Sequence, residues 1–210
     1  LNLGDSALVS YPNNVRFIAT INNDQTTEPL SPRVLDRVNV IRIPQASDVN
    51  GVLSLTNGSM EHVKLSFETC REYFELYDFA EDNNPNLEFG EKEKEKEAYY
   101  KIKNLFSQVR VNISPRVEIA IKRYCNLAGK IMVEDLRPLD YCIAQRILPL
   151  INIYGEKFGE LLNDILKVFG EYELTISSQL LGQIISTGQD DSLFPDSYNY
   201  FHTLSHGQGI

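Results

Sequence analysis

Apolar positions along the chain follow two rhythms, one short and β-branched near the start, the other helical from residue 91 onward. Val15-Arg16-Phe17-Ile18-Ala19-Thr20-Ile21 follows the turn-forming Pro12-Asn13-Asn14 and predicts a buried strand. Residues 22–27 are polar and read as a loop. Glu28 to Arg37 reads as a short helical piece, and Val38-Asn39-Val40-Ile41-Arg42-Ile43 as a second strand stopped by Pro44. Strand, short helix and strand predict a parallel α/β unit with a right-handed crossover. Between residues 46 and 90 the pattern weakens. Asn57-Gly58 marks a turn, Phe67, Tyr73, Phe74, Tyr77 and Phe79 read as core filler, and the loop at residues 82–86 is the best linker.

The remainder predicts four or five helices. Glu91 to Glu97 alternates in sign and opens a first helix running to Val109, with Ile102, Leu105, Phe106 and Val109 on its apolar stripe. Ser114-Pro115 is an N-cap followed by proline at the first helical position, which starts a second helix burying Val117, Ala120, Ile121 and Tyr124. A third runs near Asp135 to Leu148 and ends about Pro149. The fourth carries Phe158, Leu161, Leu162, Ile165 and Phe169, the clearest stripe in the chain, and the fifth lies near Ser177 to Ile185. The expected fold class is an α/β fragment plus α, a partial parallel sheet followed by a helical bundle. Residues 1–66 form the α/β part, 67–90 a connector, 91–188 the helical domain and 189–210 a loose tail.

Length and composition change this picture little. The 210 residues fit one domain or two small ones, and 42% are hydrophobic. No window approaches ~18 uninterrupted apolar residues, so no transmembrane helix is expected. The start shows no basic stretch leading into an apolar one, and it lacks an initiator Met, which reads as a beginning partway through a longer protein. Cys70, Cys125 and Cys142 form neither a CxxC pair nor an even set and read as reduced core thiols of a cytoplasmic protein. His202 and His206 have metal-ligand spacing but lie in a stretch without helical pattern, so no metal site is expected.

Charge matters more. A net charge of -9 and a pI of about 4.9 argue against a surface built to grip nucleic acid. The charge is uneven, however. Residues 101–130 hold seven bases (Lys101, Lys103, Arg110, Arg116, Lys122, Arg123 and Lys130) against one acid, Glu118, whereas residues 68–97 hold eleven acids against four bases.

The sequence contains no GxxxxGK[ST], GxGxxG, GxSxG or HExxH. One cluster remains. Thr20-Ile21-Asn22 would end a buried strand where open α/β sheets bind ligands, and Leu30-Ser31-Pro32-Arg33-Val34-Leu35-Asp36-Arg37 would hold an arginine near Asp36. Arginine suits phosphate because its planar fork donates in pairs and keeps its charge.

With Ile113-Ser114-Pro115-Arg116-Val117, these segments resemble the second half of an AAA+ NTPase module, closest to the McrB-like restriction NTPases with MoxR-like ATPases nearby. The resemblance covers most of residues 8–190, and Gln145-Arg146-Ile147-Leu148-Pro149 is similar to the lid of McrB-like proteins. It implies Asn22 as sensor 1, orienting water or the γ-phosphate, and Arg37 as an arginine finger, with Arg33 a second candidate. Arg116, opening a lid helix, would be sensor 2 and would bind phosphate in its own subunit. It also implies ATP or GTP with Mg in an intact protein, homo-oligomeric ring neighbours, and a nuclease or other effector as partner. The basic excess at residues 101–130 fits a phosphate-facing lid.

The P-loop lysine and the acidic metal-binding strand are missing, so this chain alone should bind no such cofactor and hydrolyse nothing. In the family's sheet the P-loop strand lies between the two strands kept here, leaving a gap. The alternative is a non-enzymatic helical module in which residues 91–190 bind a partner protein. A sequence-specific DNA reader is a poor third, since no DNA-reading motif is present.

Overall fold

A computed structural model of the chain describes residues 17–21, 30–43, 66, 68, 88, 89, 93–132, 138–192 and 194–202. Its described part is mostly helical. A short α1 (Pro32–Leu35) comes first, then α2 (Glu93–Gln108), α3 (Pro115–Ile131) and α4 (Pro138–Cys142). The chain continues from α4 into a π-helical turn at Ile143–Ile147 and a 3-10 turn at Leu148–Leu150. After β1 (Asn152–Tyr154) come α5 (Lys157–Glu171), α6 (Thr175–Asp190) and β2 (Ser197–Asn199).

The core forms where the apolar stripes of these helices meet. On α5, Phe158, Leu162, Ile165, Val168 and Phe169 are buried, and this helix packs on α6 and α2. Phe106 of α2 lies 6.4 Å, centroid to centroid, from Phe169. Each fully buried large side chain contributes roughly 1.5–3 kcal/mol relative to exposure. Two helix ends are closed in the same way. Val111 N–H donates to the Phe106 carbonyl at 3.0 Å, and Leu174 N–H to the Phe169 carbonyl at 2.9 Å. Arg110 and Glu173 take the left-handed residue that this closure needs, with φ of 61° and 55°.

The expected parallel sheet is a correction. Among the described residues the single sheet is two-stranded and antiparallel, pairing Asn152 with Asn199, Ile153 with Tyr198 and Tyr154 with Ser197. Residues 17–21 and 38–43, read as its strands, form no ladder. Ile18 is 94% exposed and Ile43 80%. The reason is in the backbone: a strand must find a neighbouring strand for its amides and carbonyls, and the Val40 amide bonds instead to a carbonyl of the π-helical turn. The Phe67–Phe79 aromatics, the Asn57-Gly58 turn and the loop at 82–86 lie outside the described residues, as does Cys70.

Residues 194–202, expected as part of a loose tail, contribute β2 and bury Tyr198, Tyr200 and Phe201. Tyr198 enters where α5 and α6 each carry a glycine. A Cβ on Gly188 would come within 2.6 Å of the Tyr198 ring, so the helix approaches it closely only without a side chain.

Candidate functional site

α1 is four residues long, started by Pro32 and held by Ser31, whose carbonyl accepts from Val34 and Leu35 N–H at 2.9 and 3.1 Å. Leu35 turns into the core, and the next residue, Asp36, is thereby presented to the start of α3. There Ser114 acts twice. Its Oγ accepts from Val117 N–H at 3.2 Å, capping α3, and donates to Asp36 Oδ1. Arg116 Nη1 donates to Asp36 Oδ2 at 3.0 Å.

The Ser114 hydrogen bond, then the Arg116 bond and charge with Arg37 adding to them, hold the Asp36 carboxyl below its ordinary pKa against the opposing effect of burial. Arg146, in the π-helical turn, feels the same carboxylate; burial pulls its pKa down, and Cys142 and Asp36 pull it up. The junction thus pairs one carboxylate with the Arg116 guanidinium, and the charges of Arg37 and Arg146 act on it as well.

Of the residues the sequence singled out, Arg116 bonds to Asp36, and Arg37, the residue after Asp36 in the chain, is exposed and adds its charge there. Arg33 lies on α1, exposed. Asn22 lies outside the described residues. His202 is exposed, His206 lies outside, and no three His, Cys, Asp or Glu side chains gather as a metal site among the described residues.

The basic stretch at 101–130 is largely consumed within the fold. Lys101 pairs with Glu171 at 2.6 Å, and Lys103 and Lys122 both pair with Glu118. Tyr99 also donates to Glu118, at 3.2 Å. Burial pushes the Glu118 carboxyl up, but hydrogen bonds from Lys103 and Lys122 outweigh it and leave the pKa lowered. Burial and the Glu118 charge together drive the Tyr99 hydroxyl far above its ordinary value. This cluster braces α2 against α3 and leaves little free charge to bind a ligand.

The model of the family described as a domain of unknown function (DUF8727) matches residues 60–194. The chain belongs to this family. Neither the curated proteins nor the solved structures compared with the chain match it. The span shared with DUF8727 takes in Ser114, Arg116, Glu118 and Arg146 but stops short of Arg33, Asp36 and Arg37. The junction is therefore built from two parts, a family-wide helical unit and a preceding segment.

One buried polar group went unread in the sequence. Asp140, on α4, accepts from Ile176 N–H at 2.9 Å, from Ser177 N–H at 2.8 Å and from the Ser177 hydroxyl at 2.5 Å. It caps α6 from another helix. The available signal was negative: Leu174 stands at the N-cap position of α6 and has no side-chain oxygen to offer.

Proposed function

We propose that the chain supplies the arginine-bearing and lid portion of a ring-forming AAA+ NTPase that hydrolyses ATP or GTP. The observation that carries this reading is the bonding of Asp36 to Ser114 and Arg116, because it joins two of the resembling segments, Leu30–Arg37 and Ile113–Val117, at one point. Arg37, exposed beside that point, reaches a neighbouring subunit and stabilises charge on a transferring phosphoryl group, a contribution of ~10³–10⁵ in rate for such arginines. Arg116 binds phosphate within its own subunit, and Asn22 orients the attacking water. The two guanidinium groups fit phosphate oxygens. The described residues do not fit Mg, since Asp36 is spent on Ser114 and Arg116, so no step is drawn through the metal.

The reading needs a P-loop from another segment or chain, because the sequence contains none. It places the protein in the cytoplasm, in keeping with Cys125 and Cys142, which are buried and form no disulfide; no helix among the described residues is long and apolar enough to cross a membrane. Remodelling or DNA translocation, coupled to a nuclease or other effector in anti-phage restriction, is the corresponding biological role.

Calorimetric titration of ATP and GTP tests the proposal, with this chain alone and with the protein assembled with its P-loop. Binding by the assembly alone, with turnover falling about 10³-fold or more on Arg37→Ala, is the expected result. Binding by neither overturns it. That outcome favours the second reading, a non-enzymatic helical module that docks a partner protein. The observation behind the second reading, in which residues 91–190 bind the partner, is the exposure of Tyr154 on that unit, with Ile41 and Ile43 exposed on the segment that lies against it.

A further inference from the structure

Residues 30–43 cross the helical unit as a strap: α1 followed by extended backbone. Leu35 is its one buried side chain. Among the described residues, polar contacts at three points add to this anchor. Asp36 accepts from Ser114 and Arg116, Val40 N–H donates to the Gln145 carbonyl at 3.0 Å, and Arg42 Nη1 donates to Gln183 Oε1 at 2.7 Å.

The middle contact follows from the sequence. Pro149 has no N–H to return to the carbonyl four residues earlier, that of Gln145, and the π-helical turn leaves that oxygen facing the strap. Between and beside the contacts the strap keeps Val34, Val38, Ile41 and Ile43 exposed. An element with one buried anchor, partly buried Leu30 and Val40 beside it, and polar attachments belongs to the low end of local stability, below the closed core it lies on. Its attachments also cross the family boundary, since the strap precedes residue 60 and every one of its polar partners follows it.

We infer that the strap is a separable latch: it opens as a unit about Asp36 while the helical unit stays folded. Opening frees the Arg116 guanidinium and the Gln145 carbonyl together. While the strap is closed, Asp36 takes one Nη1 donor of Arg116, which an incoming oxyanion would otherwise find free. The inference does not depend on nucleotide hydrolysis.

Limited trypsin digestion of the whole chain, read by mass, tests it through the first cuts after Arg37 and Arg42. Arg116→Ala and Gln183→Ala remove two attachments from the helix side and leave the strap's own sequence unchanged, so the intrinsic chemistry of cleavage is constant. Cleavage after the opened state forms tracks the population of that state. Each variant should speed these cuts about threefold and the pair about tenfold. Amide exchange in α5 and α6, measured on the same samples, should not change. Unaltered cleavage in the double variant overturns the latch. So does exchange in α5 and α6 that accelerates in step with the strap, because the two would then form one cooperative unit.

Discussion

The strap and α5 carry similar apolar loads, seven apolar residues among residues 30–43 and seven in α5, yet they end in opposite places. Ile41 and Ile43 are 70% and 80% exposed, whereas Leu162 and Ile165 are fully buried. The difference is in the backbone. A helix satisfies its own amides and carbonyls, so α5 can set its stripe against α2 and α6 without help. An extended segment depends on a neighbour for those bonds, and the strap finds one for Val40. Apolar content says what could be buried; backbone bonding decides whether it is.

The largest expected effect tests the closed side of this comparison. Asp140→Ala leaves two amides at the start of α6 without an acceptor, in a site where Asp140 and Ser177 are both buried; the Ser177 hydroxyl keeps the Asp140 backbone carbonyl at 3.0 Å. Each stranded buried donor costs ~1–3 kcal/mol, not additively, so the helical unit should lose about 3–5 kcal/mol in urea unfolding. Asp140→Asn, which keeps one acceptor oxygen, should lose about half as much. A loss below ~1 kcal/mol for the alanine variant would show that α6 holds its start without this cap.

A matched pair of substitutions tests the comparison directly. Ile165→Ala, at a fully buried position, should cost about 2–5 kcal/mol. Ile43→Ala should stay within about 0.5 kcal/mol, the range of exposed sites. Equal losses would mean that Ile43 is buried in solution against a partner or another segment. That outcome would favour the interaction-module reading.

The same contrast sets how much the sequence could disclose. The helices were legible because Phe158, Leu162, Ile165 and Phe169 repeat with helical period, and because Ser114-Pro115 announces the start of α3 in both cap and proline. The sheet was misread because β-branched runs such as residues 17–21 and 38–43 report a preference for extended backbone and nothing about whether a neighbour is present. β1 and β2 were missed for the converse reason. Three residues each are too short to show alternation, and their pairing spans 47 positions from Asn152 to Asn199. At the candidate site, Arg37 and Arg116 were legible as arginines of interest. The bond from Arg116 to Asp36 was not, because it joins residues 80 positions apart.

A smaller effect concerns pH at the junction. The Asp36 carboxyl sits below its ordinary value of 3.8, held there first by Ser114 and then by Arg116 and Arg37. A lowered carboxylate pKa contributes stability that is complete above the ordinary value and is lost as pH falls through the lowered one. Protection of the Val40 amide against exchange, corrected for intrinsic rates, should therefore hold constant from pH 7 to about 5 and fall below about 4. Glu118 shares this sign, so its bond to Lys122 should weaken in the same window. Loss of Val40 protection already between pH 7 and 5 would mean that another group latches the strap.

The smallest effect is a gain. Glu173 adopts φ 55° where α5 closes, a conformation that costs a side-chain-bearing residue about 1 kcal/mol and glycine nothing. Glycine also widens the unfolded ensemble, which offsets part of the relief. Glu173→Gly should therefore stabilise the helical unit by about 0.5 kcal/mol in its urea midpoint. Arg110→Gly, at φ 61° where α2 closes, should gain less, because the Arg110 guanidinium lies 5.9 Å from the centroid of the Phe158 ring and that contact would be lost. Neither change touches an attachment of the strap, so the first cuts after Arg37 and Arg42 should keep their rate. Strap cleavage that slows together with the gain in stability would mean that α5 and the strap open together, and the separation between the two regions would fail at its weakest point.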